Sequence, residues 1–288
     1  MVSEENEDED RSQKKIKILD LIKKYTKHKY AKLVHRGNAA IFCALYIAKK
    51  INPKPFILIP DQGGWISFKT YPQMLGFEVK TVKTDRGIID LIDLEKKAES
   101  GAALIVTSFA GYFAEQPMKY ISQICRKCNC LLIEDASGSI GDGILCDGSV
   151  SDIIVGSFGH WKPINAGYGG FISVAKKEYF DESYEIFSST NYYPDYDSLL
   201  GKLEKADKRI KDMLKLSEKV KEDIAKKLPN IKLIHKELRG LNVMAKYMNE
   251  ADKDIIISYC KDKGYDYVEC PKYIRLDEEA ISIELKRK

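Results

Sequence analysis

The chain has 288 residues, of which 44% are hydrophobic and 31% charged, and its formal net charge at pH 7 is +4. These proportions are typical of a soluble globular protein, and so small a net charge gives no overall reason to expect nucleic-acid binding. No apolar run reaches the roughly 18 residues of a membrane span. Acids stand near the N-terminus where a signal peptide needs bases and an apolar core, so we expect a cytoplasmic protein.

Residues 1–30 combine an acidic run with a basic segment. The run Glu4-Glu5-Asn6-Glu7-Asp8-Glu9-Asp10 cannot bury apolar surface and predicts a disordered tail over residues 1–13. In the segment that follows, apolar residues at helical spacing among lysines predict an amphipathic helix. The lysines are typical of a solvated face, and binding of a polyanion is the less favoured alternative.

Residues 31–190 show helices and strands in alternation. This alternation predicts a large α/β domain with a mainly parallel sheet and helices on both faces. The predicted strands are 55–60, 77–82, 102–108, 131–135, 152–158 and 170–174, and the predicted helices are 39–50, 67–75, 91–98 and 118–127.

The pattern changes at residue 191. Apolar positions at helical spacing in a highly charged stretch predict one long helix over about residues 195–227. A small α+β domain is predicted after it, with strands at 231–234, 240–244, 267–270 and 281–285 and a helix over 252–263. The long helix and this small domain together make up the predicted C-terminal part, residues 191–288.

Lys162 has the sequence setting of an amine nucleophile. It follows the predicted strand 152–158 and precedes the glycine-rich Gly167-Tyr168-Gly169-Gly170. A lysine between a strand and a glycine turn can be held, desolvated, beside a carbonyl, and the obvious carbonyl is that of pyridoxal phosphate. The plain alternative is a surface lysine in a loop.

Asp135 is the second half of that case. The stretch Leu131-Leu132-Ile133-Glu134-Asp135 reads as a buried strand that ends in a carboxylate. A pyridoxal enzyme needs such an acid to keep the ring nitrogen protonated, so that the ring can withdraw electrons. Glu134 is expected to point to the opposite face of the strand. A role for Asp135 as a helix N-cap or turn former is the alternative.

Four segments in chain order resemble the DegT/DnrJ/EryC1/StrS aminotransferase family of fold-type I pyridoxal phosphate enzymes. Gly37-Asn38-Ala39-Ala40 resembles its Gly-Thr-Ala-Ala phosphate loop, and Trp65 stands where its ring-stacking aromatic stands. Ile133-Glu134-Asp135-Ala136 and Ser157-Phe158-x-x-x-Lys162 resemble its aspartate and lysine motifs. Four matches in the right order are far more specific than any one alone.

The resemblance implies a pyridoxal phosphate-dependent aminotransferase of fold-type I. It implies that Lys162 forms a Schiff base with the cofactor and that Asp135 pairs with the ring nitrogen. An amino acid is the expected donor of the amine, and a keto or aldehyde compound is the expected acceptor. The cofactor contacts that it implies are Gly37, Asn38, Ala39, Trp65, Asp135, Ser157, Lys162 and Asn191.

The resemblance also suggests residues that reach beyond the core of the site. Asn191 resembles the asparagine that contacts the phosphate in a neighbouring subunit, so a homodimer is expected. An arginine of the small domain, Arg275 or Arg239, is the implied clamp for the donor carboxylate, and a surface salt bridge is the alternative for either.

Two positions depart from the family or stay undecided. Gly138 stands three residues after the aspartate, where the family commonly has glutamine or histidine. The usual hydrogen bond near the ring hydroxyl is therefore either lost or supplied by Ser137 or Ser139. His160 lies two residues before Lys162, and it either tunes that lysine or is a bystander.

Two alternative functions and one possible metal site remain to be considered. A lyase or sulfur-transfer enzyme with the same cofactor would use Cys146 or Cys43 as a nucleophile. A non-catalytic scaffold with the same fold has no reason to keep Lys162 and its aspartate. The cluster Cys125-x-x-Cys128-x-Cys130 has no second cysteine cluster to complete a zinc site, so we expect no metal.

Overall fold

The computed structural model describes residues 2–288, with side chains from residue 8 onward. Met1 and the side chains of residues 2–7 lie outside the described part. The helices in chain order are α1 (Val2–Thr26), α2 (Gly37–Ile51), α3 (Ser67–Met74), α4 (Leu91–Ala98), α5 (Met118–Lys127), α6 (Glu178–Asp181), α7 (Tyr184–Ser188), α8 (Tyr196–Leu203), α9 (Ala206–Lys227) and α10 (Glu250–Lys263), with a final 3-10 turn at Leu285–Arg287.

Strands alternate with these helices through the first two thirds of the chain. In order they are β1 (Tyr30–Val34), β2 (Phe56–Pro60), β3 (Glu78–Val82), β4 (Thr84–Asp85), β5 (Ile88–Ile89), β6 (Gly101–Thr107), β7 (Phe109–Ala110), β8 (Ala114–Glu115), β9 (Leu131–Asp135), β10 (Ile153–Ser157), β11 (Gly170–Val174), β12 (Lys232–Ile234), β13 (Val243–Lys246), β14 (Tyr267–Cys270) and β15 (Ala280–Ile283).

A seven-stranded sheet lies at the centre of the molecule, in the order β1-β11-β10-β9-β6-β2-β3. The neighbours from β10 to β3 pair in parallel, whereas β11 is antiparallel to both β10 and β1. All five residues of β9 are buried, which explains its continuous apolar run, because helices cover both faces of a parallel sheet. The predicted mainly parallel α/β sheet is confirmed.

Helices cover the two faces of this sheet. On one face α2 packs against β10 and β11 and buries Ala40, Leu45 and Ile47 completely. On the other face Leu94 of α4 and Ile121 of α5 enter a second apolar cluster with strand residues. Both faces are therefore closed, and the carboxyl-end edge of the parallel strands is the place for a ligand.

A smaller antiparallel sheet, in the order β12-β13-β15-β14, forms the C-terminal unit together with α10. The strand and helix positions agree with the sequence-based ones to within a few residues. Throughout residues 2–288 no helix is both long and apolar enough to cross a membrane.

The prediction of a disordered tail over residues 1–13 is wrong for the described residues, because α1 begins at Val2. Acids near a helix N-terminus interact favourably with the helix dipole. Lys14 also joins the acidic segment to the fold, since its Nζ lies 2.6 Å from Asp10 and 2.8 Å from Asp197 in α8.

The prediction of one long helix over residues 195–227 is also wrong, because the segment forms α8 and α9 with a break at residues 204–205. Its apolar residues enter different clusters: Leu199 packs near α1, Met213 packs beneath the large sheet, and Ile224 packs on the small sheet. A single straight helix does not reach all three.

Candidate active site

Asp135 is the last residue of β9, at the carboxyl-end edge of the large sheet. It is 7% exposed, and its Oδ1 accepts a hydrogen bond of 3.0 Å from the Ser137 backbone N–H. Burial raises the pKa of the Asp135 carboxyl, while Ser137 and the positive charge of Lys162 act in the opposite direction. A buried carboxylate of this kind is stabilised by a cation placed against it.

Lys162 lies in the loop between β10 and β11, which doubles back on itself. The Phe158 N–H donates to the Gly169 carbonyl at 2.9 Å, and the Ala166 N–H donates to the Phe158 carbonyl at 2.9 Å. Gly169 has a φ of 99°, which only glycine adopts readily. The loop thereby brings a half-buried Lys162 over the end of the neighbouring strand β9.

One small cavity brings together most of the residues that the sequence selected. Its volume is about 40 Å³, and a larger cavity of about 400 Å³ adjoins it through three shared lining residues. The Lys162 Nζ lies 5.0 Å from the centre of the Trp65 ring. The small cavity is lined by Gly37, Asn38, Ile41, Trp65, Asp135, Ser137, Ser157 and Lys162.

The opposite end of this cavity is suited to a phosphate. The first N–H groups of α2 lack intrahelical partners and carry the positive end of the helix dipole. Gly37 is needed there because a Cβ at this position would lie 2.6 Å from the Ser157 Cβ. Ser157 Oγ accepts from the Gly159 N–H at 3.1 Å, and its hydroxyl proton is left for an acceptor in the cavity.

Trp65 is fixed relative to this helix end. Its Nε1 donates a hydrogen bond of 2.8 Å to Asn38 Oδ1. Gly63 and Gly64 precede the ring, and a Cβ on Gly64 would lie 2.8 Å from the Tyr273 hydroxyl. The indole therefore forms one wall of the cavity, held at the phosphate end by Asn38 and lying against Lys162.

These residues fit pyridoxal phosphate. The cavity has a buried carboxylate for a protonated ring nitrogen, a planar aromatic wall, a lysine amine, and a helix N-terminus with a serine hydroxyl for the phosphate. Ala39 lines a third cavity on the other side of Asn38, rather than the small one. His160 lies on the larger cavity and is exposed.

Asn191 lies apart from these cavities. It is exposed, and its Nδ2 donates a long hydrogen bond of 3.4 Å to the Ser188 carbonyl. Within the described chain it does not meet the phosphate end of the cavity, so its expected role depends on a second subunit and stays a prediction.

Both arginines proposed as carboxylate clamps are already paired with acids of the chain, which argues against that role. Arg275 is 4% exposed, and its Nε and Nη2 bond to Glu284 at 2.8 and 2.9 Å. Arg239 bonds to Glu115 and, at 2.9 and 3.2 Å, to Asp142. The surface salt bridge offered as the alternative is also wrong for Arg275, because this ion pair is buried.

Sequence reasoning missed Tyr112. The Lys162 Nζ donates a 2.5 Å hydrogen bond to the Tyr112 hydroxyl, and the Tyr112 ring lies against Gly138. Its position could have indicated a role, because Tyr112 follows the predicted strand 102–108. The carboxyl ends of neighbouring parallel strands lie at the same edge of the sheet, where a ligand binds.

The cysteines proposed as nucleophiles are buried. Burial raises the pKa of Cys43 to about 12 and raises that of Cys146 well above its usual range. A hydrogen bond with Cys130, together with burial, likewise raises the pKa of Cys125. Considering the described side chains only, no group of three or more His, Cys, Asp or Glu residues is arranged to hold a metal ion.

A comparison with protein families matches residues 17–258 to the DegT/DnrJ/EryC1/StrS aminotransferase family. The chain belongs to this family. It is therefore a pyridoxal phosphate-dependent enzyme of the aminotransferase type, as the sequence motifs predicted. A comparison with curated proteins finds no match.

Solved structures of low sequence identity share the fold. Helicobacter pylori PseC, an aminotransferase of pseudoaminic acid biosynthesis, has a TM-score of 0.73 at 15% identity, covering 94% of this chain and 85% of its own. An alanine–glyoxylate aminotransferase from Nostoc sp. has a TM-score of 0.72 at 14% identity, covering 94% and 80%. A cysteine desulfurase from Thermococcus onnurineus NA1 has a TM-score of 0.72 at 11% identity, covering 95% and 79%. The fold-type I architecture is thus confirmed.

Proposed function

We propose that this enzyme moves an amino group from an amino acid donor to a keto or aldehyde acceptor, with Lys162 as the reacting amine. The observation that carries the proposal is the shared cavity in which Lys162, the buried Asp135 and the ring of Trp65 face one another. When bound, pyridoxal phosphate supplies a ring that withdraws electrons from the α-carbon of the donor.

The chain's own residues divide the work of binding. Asp135 would hold the ring nitrogen, and Trp65 would cover one face of the ring. Ser157 and the first N–H groups of α2 would hold the phosphate, with Gly37 allowing their close approach. Since Asp135 is buried, the cation that it holds is also kept from water, which strengthens the pairing.

Lys162 would hold the carbonyl of the cofactor and then, once displaced by the donor, move the α-proton. A half-buried amine over the strand end is placed for such proton transfer. The hydrogen bond to Tyr112 limits the directions in which the Nζ lone pair can point.

The homodimer, the contribution of Asn191 across it and the cytoplasmic location are further parts of this proposal. Apolar and aromatic side chains beside the cavities support a covering subunit, since Met74 is 70% exposed and Tyr168 is 42% exposed. Sedimentation should give a dimer at micromolar concentration. A monomer that retains tightly bound cofactor would contradict the dimer but not the chemistry.

A single-turnover assay without acceptor tests the reaction type. The cofactor-loaded enzyme is mixed with each amino acid in turn, and released keto acid is measured. We expect a suitable donor to release one equivalent of keto acid per site, and the Lys162→Ala variant to release none.

The same assay separates the alternatives. Alanine formed from cysteine, with the sulfur atom retained as a persulfide on an enzyme thiol, would favour sulfur transfer, although both candidate thiols are buried. Cofactor binding with no product from any donor would favour a scaffold.

A further inference from the structure

Tyr112 lies at the junction of Lys162, the aspartate loop and the small sheet. Its hydroxyl accepts the 2.5 Å hydrogen bond from Lys162 Nζ, and its side chain is buried, with 7% exposure for the residue. The Nζ atom also lies 4.9 Å from the centre of the Tyr112 ring. The phenol therefore touches the reacting atom of the site.

The backbone holds Tyr112 in an unusual conformation. Its φ is 70°, in the left-handed region that a bulky residue rarely adopts. The Tyr112 carbonyl accepts hydrogen bonds from the N–H groups of Leu241 and Asn242, at 2.8 and 3.0 Å. A strained residue that a distant segment of the chain holds in place is typical of a functional position.

Two further cations lie near the ring, and one carboxylate holds both of them. Lys286 Nζ lies 4.9 Å and Arg275 Cζ 5.2 Å from the ring centre, each within the range of a cation–π interaction. Glu284 accepts from Lys286 at 2.7 Å and from Arg275 at 2.8 and 2.9 Å. This buried cluster fixes the ring while its hydroxyl faces Lys162.

The ring also fills the space beside Gly138. A Cβ on Gly138 would lie 3.0 Å from both Cδ1 and Cε1 of Tyr112. A side chain at residue 138 would be crowded by the Tyr112 ring, which would have to move by a few tenths of an ångström. Gly138 is three residues after Asp135, so the Tyr112 ring packs against the turn that follows β9 while its hydroxyl contacts Lys162.

We propose that Tyr112 is a positioning residue for Lys162 and that its hydroxyl makes the polar contact with the cofactor ring hydroxyl that Gly138 cannot make. The inference rests on the proposed function. In the cofactor-free protein the phenol accepts a hydrogen bond from Nζ, so its own proton is free to be donated to a group bound beside Lys162.

The first test is Tyr112→Phe, which removes the hydroxyl and keeps the ring against Gly138. The hydroxyl is the group that fixes Nζ and that we expect to contact the cofactor. The dissociation constant for pyridoxal phosphate should rise roughly tenfold.

Tyr247→Phe is the matched control. Tyr247 is also 7% exposed, and its hydroxyl bonds to the Cys270 carbonyl within the small C-terminal unit. This variant also removes a buried phenol hydroxyl, but one that bonds to Cys270 instead of Lys162. We expect the cofactor affinity of this variant to equal that of the wild type.

The second test moves the polar side chain from position 112 to position 138. Tyr112→Ala should weaken cofactor binding, and Tyr112→Ala combined with Gly138→Gln should recover roughly tenfold of the loss, because an amide then occupies the vacated space. Gly138→Gln alone should bind the cofactor poorly, since the glutamine meets the Tyr112 ring.

The outcomes are separable. If Tyr112→Phe leaves the cofactor affinity unchanged, and the double variant restores nothing, Tyr112 only packs the site and the inference fails while the proposed function stands. If the wild-type protein takes up no pyridoxal phosphate at Lys162, the proposed function and this inference both fail.

Discussion

Two adjacent carboxylates of β9 have opposite surroundings. Glu134 and Asp135 are 1% and 7% exposed, and they point to opposite faces of the sheet. Glu134 accepts hydrogen bonds of 2.6 Å from the hydroxyls of Ser108 and Ser151, and one of 2.8 Å from the Cys146 N–H. Its hydrogen-bonding capacity is thus used within the fold.

Asp135 is less completely paired by the chain. It accepts from the Ser137 N–H, interacts with the charge of Lys162 and lines the cavity. Burial raises the pKa of both carboxyls. The comparison teaches that neither burial nor a neighbouring cavity marks a functional acid by itself. Glu134 lines another cavity, but its oxygens are bonded within the fold, whereas Asp135 shares its cavity with Lys162.

The largest expected effect comes from Asp135→Asn. Turnover should fall by roughly 10²–10⁴-fold, because the ring nitrogen loses its anionic partner. Stability of the cofactor-free protein should stay the same or rise, since a buried charge is removed. Steady-state kinetics measures the turnover, and urea unfolding measures the stability. Unchanged turnover would contradict the role of Asp135.

The pH dependence of stability extends the comparison to a third buried acid, Glu284. Burial opposes its ionisation, but Arg275 and Lys286 hold its pKa well below the usual range. Burial, aided by the charges of Arg275 and Lys162, lowers the pKa of Lys286 from 10.5 to about 8, although Glu284 acts in the opposite direction.

A lysine with a lowered folded pKa makes the protein more stable as pH rises, because the unfolded chain still binds the proton that the folded chain has lost. Between pH 8 and 10.5 Lys286 should therefore contribute a gain of up to about 3 kcal/mol to the free energy of unfolding of the cofactor-free protein. The gain is read as the difference between the wild-type and Lys286→Met profiles, because the buried thiols with raised pKa values act in the opposite direction in both proteins. This gain should be absent in Lys286→Met. If the free energy of unfolding changes with pH in the same way in both proteins, the pKa of Lys286 is not lowered by folding.

Glu134→Gln should show the reverse of Asp135→Asn. Its amide end would face a donor that Glu134 now accepts from, so the free energy of unfolding should fall by about 1–3 kcal/mol. Turnover per folded, cofactor-loaded site should stay within a few-fold of wild type. Loss of turnover with intact stability would overturn the division between the two acids.

The smallest effect tests the wall of the cavity. Trp65→Phe keeps an aromatic face but loses the hydrogen bond to Asn38, so cofactor affinity should fall by about 1 kcal/mol. Trp65→Ala should weaken binding further, because stacking is also lost. Equal affinities for the two variants would show that the ring face makes no contribution.

The sequence predicted those parts of the fold and site whose signals are local. Strand β9, its terminal aspartate, and the lysine before a glycine turn follow from periodicity and turn chemistry over short segments. The order of the four motifs then identified the family.

The missed features depend on contacts between distant residues. Tyr112 meets Lys162 across fifty positions, and Arg275 meets Glu284 only because two segments of the small unit fold together. The break between α8 and α9 likewise depends on which cluster each turn of helix packs against. Strand β1 was missed because it is only half-buried and pairs with β11, far along the chain.

Covalent trapping at Lys162 tests the central claim most directly. The protein is loaded with pyridoxal phosphate, reduced with borohydride, digested and mapped by mass spectrometry, with Lys176→Arg as a matched exposed-lysine control. We predict one reduced adduct per chain, on the peptide that contains Lys162, and none in Lys162→Arg. An adduct on another lysine, or no adduct at saturating cofactor, would contradict the account.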